Sequence, residues 1–166
     1  PSRGAVRRYL RRFLGDRRLI DLPAFFRWLL VNLIIAPFRA GRSAKAYRKI
    51  WTPEGSPLVV YSKRLTTALQ ERFGDELVVR LGMTYGEPSI KDGLASLMDE
   101  GIERLLVVPL YPQSASATTA GASEAVMKEL CTWWEYPTLR MAAPFYDHPE
   151  FIKAWAAVSH DEVKAF

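Results

Sequence analysis

Apolar and polar positions follow two regimes along the chain, helical spacing through the first 74 residues and strand–helix alternation after them. From Ala5 to Leu14, Val6, Tyr9, Leu10, Phe13 and Leu14 share one face, while Arg7, Arg8, Arg11 and Arg12 lie toward the other. That pattern predicts an amphipathic helix ended by Gly15-Asp16. Leu22 to Phe38 is the most apolar stretch; Arg27 and Asn32 interrupt it and Pro37 is expected to close it. It is then too short for the roughly 20 clean apolar residues of a spanning helix. It reads as a core helix, or, with Arg39 and Arg42 directly after it, as a segment at a bilayer interface or the mouth of an apolar pocket. Gly41 to Ile50 is basic and helical, and Thr52-Pro53-Glu54-Gly55 breaks it. Ser56-Pro57 is a helix start, with the serine hydroxyl expected to accept a backbone N–H and proline at the first helical position. Leu58, Tyr61, Leu65, Leu69 and Phe73 recur at helical spacing up to the stop at Gly74.

From Leu77 the pattern alternates. Leu77 to Leu81 is expected as a strand and Gly82 to Pro88 as a loop. Ser89 caps a helix with Asp92 placed for a capping box and Ile90, Leu94, Leu97 and Met98 on its core face. A second strand, Leu105 to Pro109, runs into Leu110-Tyr111-Pro112-Gln113 and a run of small hydroxyl residues. A helix from about Thr119 to Trp134 follows, with Val126, Leu130 and Trp133 inward. Leu139 to Ala143 is a weaker strand, and Pro149 opens a last helix with Ile152, Trp155 and Val158 on one face. This is the rhythm of βα units, so the class is α/β with a parallel sheet. Three strands are few where four to six are usual, which leads us to expect a window of a longer protein that lacks an opening βα element. Ligands gather outside the carboxyl ends of parallel strands, so Tyr111 and the following Ser/Thr run stand where a site would form; the alternative is that the two prolines merely end a strand.

Charge changes this picture more than composition does. The 166 residues suit one domain with its own core, and the lone Cys131 excludes an intrachain disulfide or a thiolate metal site and favours a reducing compartment. No secretory leader is expected, because the first residues alternate charge with apolar side chains. The net charge is +5, yet residues 1 to 50 hold 13 Lys/Arg against 2 Asp/Glu, and the remainder is acidic by six charges. The first third should face a carboxylated ligand, an acidic membrane surface or a nucleic acid, unless it is only a solvated face. Nucleic acid is the weakest reading, for no groove-reading or base-stacking motif accompanies the arginines.

Six stretches, in order and spanning nearly the whole chain, carry a family resemblance: Ala5 to Leu14, Ala46-Tyr47-Arg48-Lys49-Ile50-Trp51, Gly55-Ser56-Pro57-Leu58, Met83 to Ser89, Val108-Pro109-Leu110-Tyr111-Pro112-Gln113 and Tyr146-Asp147-His148-Pro149. Together they resemble the ferrochelatases, which insert ferrous iron into a porphyrin in haem synthesis. The resemblance implies a three-layer α/β/α fold with a parallel sheet, one of two similar domains with porphyrin bound between them. On that reading residues 1 to 166 are a single, incomplete N-terminal domain with residues 22 to 38 as an apolar lip. Arg39, Tyr47 and Ser56 match family positions that contact porphyrin, and Arg42, Tyr85 and Tyr111 match positions lining the same cleft. A flat apolar ring with anionic propionates calls for aromatic walls and a few cations at one edge, which agrees with these residue types.

The family's metal-handling histidine and glutamate belong to the second domain, so the resemblance implies no catalytic residue and no metal ligand here; ferrous iron and porphyrin are substrates and partners. His148 is expected at a helix N-terminus and His160 on a helix face, not at a metal. Where the family often has an aromatic and a cysteine after Tyr-Pro-Gln, this chain has Ser114-Ala115-Ser116-Ala117, which argues against an iron–sulfur cluster. The implied place is the cytoplasm, on the inner face of a membrane. The rival readings are a cobalt or nickel tetrapyrrole chelatase and a non-catalytic membrane- or ligand-binding domain.

Overall fold

Ser2 opens the first helix, α1 (Arg3–Leu14), by accepting the Ala5 N–H on its hydroxyl at 3.1 Å. Its apolar face buries Val6 and Leu10, with Tyr9 and Leu14 at the margin, against Ala36, Ala40 and Ala44. The three alanines recur every fourth residue, and their small side chains let two helix backbones approach closely. This α1 contact is the core of the first of two compact units into which the chain divides, Pro1–Ile102 and Glu103–Phe166. The computed structural model describes residues 1–164.

Pro37 does not close the apolar segment. One helical rod runs through all 27 residues from Ala24 to Ile50, as α2 (Ala24–Leu29), a π-helical stretch Leu30–Ile35 and α3 (Ala36–Ile50). Proline has no N–H to give and its ring crowds the preceding turn. The wider hydrogen-bond pattern just ahead of it, with Ala36 N–H reaching Val31 O, is how the helix continues. Val31, Ala36 and Ala40 are buried, while Phe25, Phe26, Trp28, Leu33, Ile34 and Phe38 are exposed.

The chain leaves α3 through Thr52 and Gly55, each donating its N–H to the other's carbonyl at 3.0 Å, with Gly55 at φ 127°, open to glycine. Next is α4 (Pro57–Phe73). Ser56 stands at its start, but the hydroxyl caps nothing, contrary to expectation; only its carbonyl takes part, accepting Val60 N–H at 2.9 Å. Proline supplies no N–H at the first helical position and presets the entering turn, so the helix starts without the side-chain cap. The apolar face of α4 has the expected period yet is not covered: Leu58, Tyr61 and Leu65 are exposed.

Leu77 to Leu81 pairs with no strand among the described residues. Its start is held by Gln70, whose side-chain amide donates to Leu77 O at 2.8 Å and accepts Val79 N–H at 2.9 Å. The loop that follows has a cis Glu87–Pro88 bond, and α5 (Ile90–Asp99) begins with the expected capping box of Ser89 and Asp92. Leu94 and Leu97 are its buried residues.

In the second unit β1 (Arg104–Val107) and β2 (Thr138–Met141) pair in parallel, Leu105 opposite Leu139 and Leu106 opposite Arg140. A parallel pair needs a crossover. Here it contains a π-helical turn, Ser116–Ala120, and α6 (Gly121–Leu130). Among the described residues of this unit, Leu105, Ala122, Val126, Leu130 and Pro137 are buried. The architecture is therefore α/β, with a small, two-stranded parallel sheet among the described residues in place of the expected three strands. The last helix, α7 (Pro149–Lys164), is preceded by His148, whose Nδ1 accepts Glu150 N–H at 3.3 Å, the helix-terminal place expected for it.

Candidate functional site

Aromatic residues gather along α1. Tyr9 and Phe13 lie one turn apart and stack, ring centroids 5.5 Å apart and planes 9° off parallel. Tyr47, from the α3 face that packs on α1, meets Tyr9 edge-on at 6.4 Å, and Tyr85, from the loop before α5, meets Phe13 edge-on at 5.2 Å. Tyr47 and Tyr85, 38 residues apart in sequence, thus stand at the two ends of a four-ring row. Such contacts hold ring orientations beyond what burial alone does. Two members, Tyr9 and Phe13, were not singled out as site residues from the sequence; their i, i+4 spacing was the signal, and it was read only as a core face.

The row ends in a polar anchor. The Tyr85 hydroxyl donates to Asp16 Oδ2 at 2.6 Å, and Asp16 Oδ1 accepts Arg18 N–H at 2.8 Å. Arg27 binds the same connection from the side of α2, donating to Gly15 O at 2.9 Å and Leu22 O at 2.6 Å. The charge that interrupts the apolar segment is thereby turned toward backbone carbonyls, away from the exposed Phe25, Phe26 and Trp28.

Arg39 and Arg42 are exposed near-neighbours one turn apart on α3, neither in an ion pair with another described residue. Tyr47, on the α1-packed side, presents a different face of the same helix. Ser56, partly buried ahead of α4, has no hydrogen-bond partner for its hydroxyl among the described residues. In the second unit Tyr111 is partly exposed beyond the carboxyl end of β1. The next residue's carbonyl, Pro112 O, accepts the N–H groups of Phe145 and Tyr146, both at 3.1 Å. The loops after β1 and β2 are so tied together at the strand ends, where open parallel sheets place ligands. Tyr146, exposed there, was missed as a site candidate because it lies beyond a strand that reads weakly in sequence.

Among the described residues no three His, Cys, Asp or Glu side chains gather as a metal site. Hydrogen bonds from the Ser89 hydroxyl and then its N–H hold the Asp92 carboxyl below the usual carboxylate range. It serves the helix cap. The Ala24–Ile50 rod is long and apolar enough to cross a membrane by length and composition, with few of its residues buried.

The first unit thus carries a row of aromatic rings and two exposed arginines, and the second carries Tyr111 and Tyr146 beyond its strand ends. Comparison with known proteins is specific. Residues 1–166 match the sequence model of the family described as Ferrochelatase. A ferrochelatase of Coxiella burnetii is 43% identical over 166 residues, all of this chain and 46% of the relative. One of Alcanivorax borkumensis is 42% identical over 160 residues, 94% of this chain and 47% of the relative. One of Legionella pneumophila is 44% identical over 160 residues, 96% of this chain and 48% of the relative. The chain belongs to the ferrochelatase family, and it spans about half the length of the curated relatives it matches.

Proposed function

We propose that this chain is the N-terminal, porphyrin-holding half of an enzyme that inserts ferrous iron into a porphyrin, a lyase of haem synthesis. The observation that carries the reading is the row Tyr47, Tyr9, Phe13 and Tyr85 in a chain of this family, with Arg39 and Arg42 uncommitted. Iron is a substrate, and no resident cofactor is assigned. Arg39 and Arg42 take the propionates; Tyr47 and Tyr85 line the ring, with Ser56 free to donate a hydrogen bond, and Tyr111 is the second unit's own candidate for ligand contact. Insertion requires the ring to bend so that its pyrrole nitrogens open to the metal, and binding at the periphery supplies the energy. The full protein is expected as a three-layer α/β/α pair of domains. Family membership speaks against the rival cobalt or nickel chelatase and a purely non-catalytic domain.

The same reading places the protein on the cytoplasmic face of a membrane. Phe25, Phe26, Trp28, Leu33, Ile34 and Phe38 are exposed on a rod that itself carries the exposed Arg39 and Arg42, a combination suited to a segment lying in the interface.

The test compares the isolated 166-residue chain with a protein of the relatives' length that contains it, following iron insertion by the porphyrin absorption spectrum. The long protein should insert iron and the isolated chain should not, because the histidine and glutamate that handle the metal in the family match nothing here. Insertion by the isolated chain would overturn the assignment, as would a long protein that binds no porphyrin.

A further inference from the structure

The Tyr85 hydroxyl is already committed. It lies 2.6 Å from Asp16 Oδ2, the length of a charge-assisted bond from a hydroxyl to a carboxylate, and Asp16 is itself held by Arg18 N–H. The carboxylate stands just after the end of α1, where the chain turns toward the apolar rod, and Arg27 bonds both ends of that turn, Gly15 O and Leu22 O. The ring of Tyr85 is fixed on its other side by Phe13 at 5.2 Å and 84°. A phenol held at its oxygen and packed edge-to-face at its ring has little rotamer freedom left.

We propose that Asp16 is a positioning residue for the porphyrin site. It sets the plane of Tyr85 and ties that ring to the turn that carries the lip, so that the wall and the lip keep one spacing. It follows that Tyr85 offers ligand a ring surface and no donated hydrogen bond, its proton being directed at Asp16. The proposal rests on the porphyrin-binding reading above.

Titration of the long protein with a propionate-bearing porphyrin, followed at its strongest absorption band, tests it with wild type, Asp16→Ala, Asp16→Asn, Tyr85→Phe and the double variant Asp16→Ala/Tyr85→Phe. Asp16→Ala should weaken binding about tenfold, Tyr85→Phe should do much the same, and the double variant should be no worse than about twofold beyond either. Asp16→Asn keeps an acceptor oxygen and should recover most of the loss. A loss of fold alone would lower the melting temperature and the fraction able to bind, leaving the affinity of the remaining fraction unchanged, which overturns the proposal. Tyr85→Phe keeps the whole ring and carries the comparison if Asp16→Ala does not fold. Independent losses that multiply in the double variant would overturn the coupling while leaving the porphyrin reading intact. Absence of binding by wild type would overturn both.

Discussion

Changing Arg39 and Arg42 to alanine, singly and together, separates a propionate clamp from a merely basic surface. Both guanidinium groups are exposed on α3 and free of carboxylate partners among the described residues, so truncation should cost the fold little. Two unit charges about 4 Å apart attract by about 1 kcal/mol in water and about 4 kcal/mol at an effective dielectric constant of about 20. A hydrogen bond to a charged group is worth about 1.5–3 kcal/mol. Each arginine covered by bound porphyrin should therefore contribute about tenfold or more in affinity. If the two take separate propionates, the double variant should lose about a hundredfold. The assay is a fluorescence-quenching titration of the long protein with a porphyrin dicarboxylate and with its dimethyl ester, at low and high salt. The dicarboxylate should show the loss and the ester should not. A loss that shrinks toward high salt places the arginines in solvent, and one that persists places them under the ligand. Equal loss for acid and ester would refute the reasoning, since the arginines would then support the fold.

Three other outcomes are expected. Replacing Phe25, Phe26 and Trp28 by serine should abolish co-sedimentation of the long protein with acidic liposomes at low salt; wild-type protein that stays in the supernatant would remove the membrane assignment. Ala40→Leu, at a fully buried position facing Val6 and Leu10, should overpack the α1–α3 contact by about 1–3 kcal/mol and lower the melting temperature by several degrees; an unchanged transition would mean that this contact is not tight. Because the Asp92 carboxyl is held below its unfolded value, its contribution to the α5 cap is complete above about pH 4 and fades as pH falls through the lower folded value. Helicity lost in that acid range should be smaller in Asp92→Asn, and an identical profile would show that the cap does not govern it.

Local chemistry was legible in the sequence wherever it depends on near neighbours. The amphipathic face of α1, the Ser89–Asp92 capping box, the break at Thr52 to Gly55 and the helix-terminal place of His148 each follow from residues within a turn or two. The family membership was legible for a related reason, since six short stretches hold their order whatever their packing. The Pro37 boundary was misread because a single proline is a strong local breaker, and only hydrogen bonds spread over several turns show that a π-helical stretch carries the helix past it. Leu77 to Leu81 has the composition of a strand, but a strand exists only with a partner, and residue pattern cannot supply one. Helical spacing likewise predicted the apolar faces of α4 and α7; it defines a face and is silent on what covers it. The four-ring row and the Tyr85–Asp16 bond were decided by tertiary structure, since they join positions up to 72 residues apart where α3 and the loop before α5 meet α1. Spacing along a chain encodes periodicity, whereas contacts across it depend on where the core brings distant turns together.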